Sequence, residues 1–150
     1  MDSKDRQILD LLQQDATLQV AQIAEQVGLS RTPCWRRIRE LEKNGYIQKR
    51  VALLDRTKLD LPITVFVAVK TNQHNAKWLE TFRKAVNSLP EIVEAYRLSG
   101  DSDYLLRVIV KDIAGFDTAY QRLIERVDFS DVSSSFSMEE LKFTTAIPLN

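Results

Sequence analysis

The sequence is poor in the residue types that build staples, metal cages and nucleotide loops. Among 150 residues there are one cysteine, one histidine, four glycines and four prolines. A lone Cys34 excludes an intrachain disulfide and fits a reducing compartment. His74, within Asn72-Gln73-His74-Asn75, reads as part of a solvated helix-cap region. Asp101 and Asp103, with no His or Cys partner at metal-ligand spacing, make a poor metal or acid–base pair. Phosphate-cradling loops, dinucleotide fingerprints and nucleophile motifs are absent. No catalytic residue, metal or cofactor is therefore expected. No apolar run approaches the ~18 residues of a membrane span. The opening MDSKDRQILD is acidic and lacks the apolar stretch of a signal peptide. These features lead us to expect a cytoplasmic protein.

Net charge is also missing, since 21 Lys+Arg balance 21 Asp+Glu. The balance hides an asymmetry. Residues 1–56 hold ten basic and eight acidic side chains, net +2, against eleven and thirteen, net −2, in residues 57–150. Arg31, Arg36, Arg37 and Arg39 fall within nine residues. By charge alone such a run is as well explained by a solvated helix face as by a nucleic-acid partner.

The first 45 residues follow a helical period. Ile8, Leu9, Leu11 and Leu12 stripe a helix over 3–14, capped by Asp2 or Ser3. A second helix over 19–27 buries Val20, Ile23, Ala24 and Val27, and Gly28 suits the left-handed residue that ends it. Ser30 then stands as N-cap for a third helix over 31–44. Pro33 is tolerated there because first-turn N–H groups have no helical partner. Helix, short Gly-led turn and helix form the helix-turn-helix layout. Tyr46 to Val51 alternates apolar and polar residues as a short β element or wing would, and residues 52–61 read as a polar hinge.

Beyond the hinge, strands and helices alternate: a strand over 63–69, a helix over 75–88 stopped by Pro90, a strand over 92–98, and a turn at 99–102. A strand over 104–110, a helix over 113–127 and a final strand over 132–141 follow. The order βαββαβ is the ferredoxin-like split βαβ arrangement, an α+β fold. Residues 1–51 are thus expected to form a helix-turn-helix domain, and residues 62–150 a separate αβ domain. The strand over 63–69 carries apolar residues on both faces, so one sheet face needs a cover, for which a second subunit is the natural candidate.

At about 100° per residue, Cys34, Ile38 and Leu41 fall within roughly 40° of one another and form a buried seam. That placement makes Cys34 a small core hydrophobe rather than a redox sensor. Thr32, Arg36, Arg39 and Lys43 cluster opposite. Arg36 and Arg39 project where a recognition helix meets base edges, and arginine suits bidentate contact with guanine. Thr32 could touch a base edge or a thymine methyl. Arg31 and Lys43, at the ends, suit phosphates, as do the free N–H groups behind Ser30. Arg37, on a flank, could meet a phosphate or pair with Glu40 or Glu42. Trp35, also on a flank, could contact DNA, although packing against a neighbouring element is the commoner use of an aromatic there.

The run from Leu29 to Ile47, with Ser30-Arg31-Thr32-Pro33-Cys34 ahead of Arg37-Ile38-Arg39-Glu40-Leu41-Glu42, resembles the recognition-helix signature of the leucine-responsive/asparagine-regulator (Lrp/AsnC, feast/famine) family. The likeness continues through Val51-Ala52-Leu53-Leu54-Asp55, Gly100 to Leu106, and Ser134-Ser135-Phe136 before Met138-Glu139-Glu140. It spans essentially the whole chain.

The resemblance implies a winged helix-turn-helix joined to a RAM/ACT-like domain that dimerises sheet to sheet, with dimers assembling further to an octamer. It also implies a small effector, usually an amino acid, bound near the hairpin loop and at contacts between subunits. The matching residues are Gly100, Asp101, Ser102, Asp103 and Tyr104, with Ser135, Phe136 and Ser137. Asp103 could receive an ammonium group. Taken alone, Gly-Asp-Ser-Asp is equally an ordinary hairpin loop. The small polar Ser135 and Ser137 argue against a strictly leucine-like effector and leave methionine, cysteine, another amino acid or none open. The expectation is a sequence-specific transcription regulator. Its rival is an architectural protein that coats DNA with little sequence preference.

Overall fold

A computed structural model describes residues 1–149. The chain divides into two compact units, one of Met1–Leu53 with the tail from Leu141 onward, the other of Leu54–Glu140.

Three helices build the first unit: α1 (Ser3–Gln14), α2 (Val20–Val27) and α3 (Arg31–Lys43). The start of α1 and the end of α2 have clear local causes. Asp2 and Asp5 form a reciprocal capping box, in which each side chain accepts the other's backbone N–H at 2.9 Å. Gly28 ends α2 in the left-handed region (φ 66°, ψ 45°), and the N–H of Leu29 returns to the carbonyl of Ala24 at 2.8 Å. A side chain at position 28 would strain that turn. Ile8, Leu12, Ile23, Ala24, Val27, Cys34, Ile38 and Leu41 close the core, with every helix contributing. The seam expected on α3 is thus present. Burial pushes the Cys34 thiol up, and Arg37 only partly offsets this, so the group is a packed hydrophobe and a poor nucleophile.

Tyr46 to Val51 does not form the expected strand. The segment is irregular and mostly exposed, because alternation supplies a pattern but not a second strand, and an unpaired strand leaves its backbone groups to water.

The second unit is a four-stranded antiparallel sheet in the order β2-β3-β1-β4. Its strands are β1 (Ile63–Lys70), β2 (Ile92–Arg97), β3 (Tyr104–Val110) and β4 (Asp131–Phe136). Its helices are α4 (Ala76–Ser88), capped by the Asn75 side chain, and α5 (Ile113–Ile124), capped by Asp112. Period-2 alternation sends Val65, Val67, Val69, Leu106 and Val108 into a core beneath the helices with Trp78, Phe82, Ala85 and Leu123.

Trp78 stacks on Phe82 at 5.1 Å, lies edge-on to Phe129 at 6.1 Å, and donates its indole N–H to the carbonyl of Asp128 at 2.8 Å. The helix over 113–127 ends at Ile124, although Val127 still reaches the core. The last strand stops at Phe136 rather than 141. Its ladder with β1 runs from Lys70↔Asp131 to Val65↔Phe136 and closes with the N–H of Ser137 on the carbonyl of Thr64, one residue short of the start of β1 at Ile63.

Candidate functional site

Helix α3 presents two unlike faces. Cys34, Ile38 and Leu41 are buried, whereas Arg31, Thr32, Trp35, Arg36, Arg39 and Lys43 are exposed. At helical spacing, Thr32, Arg36, Arg39 and Lys43 make one stripe with Trp35 beside it. Trp35 is 53% exposed, which, of the two roles considered for it, disfavours packing inside the subunit. Ser30 occupies the N-cap position in an extended conformation, and its carbonyl accepts the N–H of Cys34, but its hydroxyl makes no capping bond. The hydroxyl is left for another acceptor or donor.

Two arginines are held by the protein itself. Arg37 donates to Asp2 at 2.7 Å and to Asp5 at 2.8 Å, tying α3 to the start of α1, and it does not pair with Glu40 or Glu42. Asp5, then Asp2, raise the Arg37 pKa further. The N–H of Asp5, then the Arg37 guanidinium, hold the Asp2 carboxyl below its usual value. Arg39 meets Glu42 at 3.2 Å with 65% of its side chain exposed, and Glu42 is shared with Arg50 at 3.0 Å. An exposed pair of this kind exchanges readily for another anion. Arg36 has no ion-pair partner among the described residues.

The second group of candidate residues divides in two. Gly100 turns the β2–β3 hairpin at φ 134°, which favours glycine. Asp103 is fastened there: its carboxylate accepts the N–H of Thr71 at 2.8 Å, its own N–H reaches the carbonyl of Val69 at 2.9 Å, and its carbonyl accepts from Leu98 at 2.8 Å. Tyr104 belongs to the aromatic core, 4.6 Å from Phe82. Phe136 packs on the helix-covered side, edge-on to Phe116 at 5.2 Å. Ser135, opposite Phe66 on β1, lies on the uncovered side. The hairpin loop meets β1 at its Val69 end, and Ser135 and Ser137 meet it nearer Thr64. With ~3.3 Å per residue along a strand and ~4.8 Å between strands, the two clusters stand more than ~10 Å apart.

That uncovered face holds a polar feature the sequence reading missed. Arg107, between Leu105 and Ile109 on β3, donates to Glu94 on β2 at 2.5 Å, and the Tyr96 hydroxyl donates to the other Glu94 oxygen at 3.2 Å. The bond to Glu94 pushes the Tyr96 phenol up. Alternation alone puts Arg107 on this face, but which strand lies alongside depends on sheet order.

Comparison with known proteins matches both units. The family profile described as winged helix-turn-helix DNA-binding covers residues 1–48, and that described as Lrp/AsnC ligand binding domain covers residues 64–147. The chain is 51% identical over 149 residues to a glutamate uptake regulatory protein of Zymomonas mobilis, covering 99% of this chain and 91% of the relative. An AsnC family transcriptional regulator from Agrobacterium tumefaciens superposes with a TM-score of 0.96 at 54% identity, covering 99% of this chain and 97% of that one. A transcriptional regulator from Neisseria meningitidis, solved as its L-Met complex, superposes with a TM-score of 0.95 at 32% identity, covering 100% and 97%.

Proposed function

The chain belongs to the Lrp/AsnC family of transcription regulators, and from that premise we propose a sequence-specific DNA-binding regulator whose activity responds to an amino acid. Its relatives regulate transcription and are not enzymes. The observation that carries the DNA half is the outward stripe of α3. Thr32, Arg36 and Arg39 face base edges, Trp35 stands beside them, and Ser30, Arg31 and Lys43 meet phosphates. Arg37 serves the interface by fixing α3 on α1 and leaves its flank to the backbone. Two such helices in a homodimer enter major grooves one turn apart, or a multiple of it.

Residues 1–51 act as the reader, 52–61 as the hinge and 62–150 as the sensor. Phe66, Leu105 and Ile109, not fully buried on the uncovered sheet face, support pairing with a second copy, and dimers associate further toward an octamer. The separation of the hairpin loop Gly100–Tyr104 from Ser135 and Ser137 supports an effector site completed between subunits. Ser135 faces that junction, and Phe136 supports it from behind. Gly100, Asp101 and Ser102 offer backbone groups to a carboxylate, and the side chains of Asp101 and Asp103 offer oxygens to an ammonium. The neighbour solved with L-Met supports an amino acid as effector, and the small serines leave space for its side chain.

A thermal-shift screen against the twenty amino acids tests the sensing half. One of them at about 100 times its Kd adds ~2.7 kcal/mol, which raises the melting temperature. If none moves it, the amino-acid reading falls.

A further inference from the structure

β2 is an outer strand of the sheet, and beside it runs a groove of about 580 Å³. Leu98 donates its N–H to Asp103, and Tyr96 lies opposite Leu105 in the same register. Antiparallel bonding alternates, so Tyr96 and Leu98 turn their backbone groups toward β3 while those of Ala95 and Arg97 point outward, unpaired among the described residues. Leu79, Phe82 and Val86 of α4 floor the groove. Arg83 and Arg97 flank it, both exposed and neither in an ion pair among the described residues. An open strand edge, an apolar floor and two free guanidinium groups suit an extended segment that is partly apolar and partly acidic.

The chain carries such a segment at its opposite edge. Strand-like sequence continues to Leu141, yet pairing with β1 ends at Phe136. Met138 is 95% and Leu141 87% exposed, with Glu139 and Glu140 exposed between them. In an extended chain Met138 and Glu140 share one face, and Glu139 and Leu141 the other. Either face therefore offers one apolar group and one carboxylate. β4 and β2 are opposite edges of the sheet, with β1 and β3 between them, so two copies joined head to tail bring segment and groove together.

We propose that Met138–Leu141 of one copy adds as a strand to β2 of another, with its glutamates against Arg83 and Arg97. Such a contact differs from one that pairs sheet faces. It leaves a free groove and a free segment at the ends, and it closes into a ring or runs on as a filament. It rests on the family reading, for which it supplies the joint between dimers.

Charge reversal tests it by sedimentation velocity on the full chain. Arg83→Glu with Arg97→Glu, and separately Glu139→Lys with Glu140→Lys, should weaken association between dimers about tenfold or more, leaving dimers that melt as native and bind DNA. The two variants mixed, or all four changes in one chain, should restore the larger species. Should a variant misfold, Ala95→Cys with Glu140→Cys in the otherwise native chain replaces it and should yield oxidised ladders of linked copies. Native-like masses for both charge variants, or no linked copies, overturn the joint. DNA binding by the same samples reports separately on the family reading.

Discussion

Replacing Arg36 by alanine is expected to cost about 1–3 kcal/mol of DNA affinity, roughly 5- to 150-fold, and to relax preference at one base position. Arg36 lies in the middle of the outward stripe of α3, exposed and with no ion-pair partner among the described residues. No contact of its own side chain has to be broken before it reaches a base. Folding should be unaffected, because the buried seam of Cys34, Ile38 and Leu41 lies on the other side of the helix. Lys43, at the end of the same stripe, should behave differently when replaced by alanine. A phosphate contact carries no sequence information, so its loss lowers affinity evenly across sites and reduces the salt dependence by about one counterion. Binding curves for both variants on a set of single-base-pair substitutions separate the two roles. An Arg36→Ala protein with unchanged affinity and preference would remove this side chain from the reading face.

Trp78→Ala should destabilise the sheet domain by about 3–5 kcal/mol, a large share of the ~5–15 kcal/mol that holds a typical domain together. Trp78 is 6% exposed and touches Phe82, Tyr104 and Phe129 at ring-centroid distances of 5.1, 5.6 and 6.1 Å. Truncation therefore leaves a cavity lined by rigid rings that cannot collapse into it. It also orphans the carbonyl of Asp128. Trp78→Phe keeps a ring in the stack and loses chiefly the indole hydrogen bond, so its cost should be the smaller of the two. Denaturant unfolding checks the order. A change under 1 kcal/mol for Trp78→Ala would mean the aromatic cluster is not what fixes α4 on the sheet. Because Tyr104 shares this cluster and opens β3, a softened core should also loosen the hairpin loop that precedes it.

Most elements were legible because their periods are strong and their ends carry chemistry. Ile8 and Leu12, Ile23 and Val27, and Cys34, Ile38 and Leu41 repeat at helical spacing, and Asp2, Gly28 and Asn75 mark boundaries through capping or a left-handed turn. Val65, Val67 and Val69 repeat every second residue and line one face of β1. Failures came where a pattern depends on a partner elsewhere in the chain. Tyr46 to Val51 alternates but has no strand to bond. β4 stops at Phe136, opposite Val65 and close to the start of β1 at Ile63, a limit set by the neighbouring strand and not by its own residues.

The sites follow the same logic. The outward basic face of α3 is a local property, and helical spacing alone locates it. That Arg37 spans to Asp2 and Asp5, 35 and 32 residues away, depends on how α1 crosses α3, and no local pattern contains it. The exposure of Trp35 has a related origin, since an aromatic on a helix flank is packed or bare according to what tertiary structure places beside it. Asp103 reads as a loop carboxylate in sequence, and only the fold shows it engaged by the N–H of Thr71.

The most direct test of the regulator reading is a competition between the protein's own upstream region and random DNA, run at several salt concentrations. A sequence reader should prefer one site by ~10³-fold or more, with the preference surviving as salt weakens both. Equal affinity for the two DNAs at every salt concentration would contradict it, leaving a phosphate-coating protein in its place.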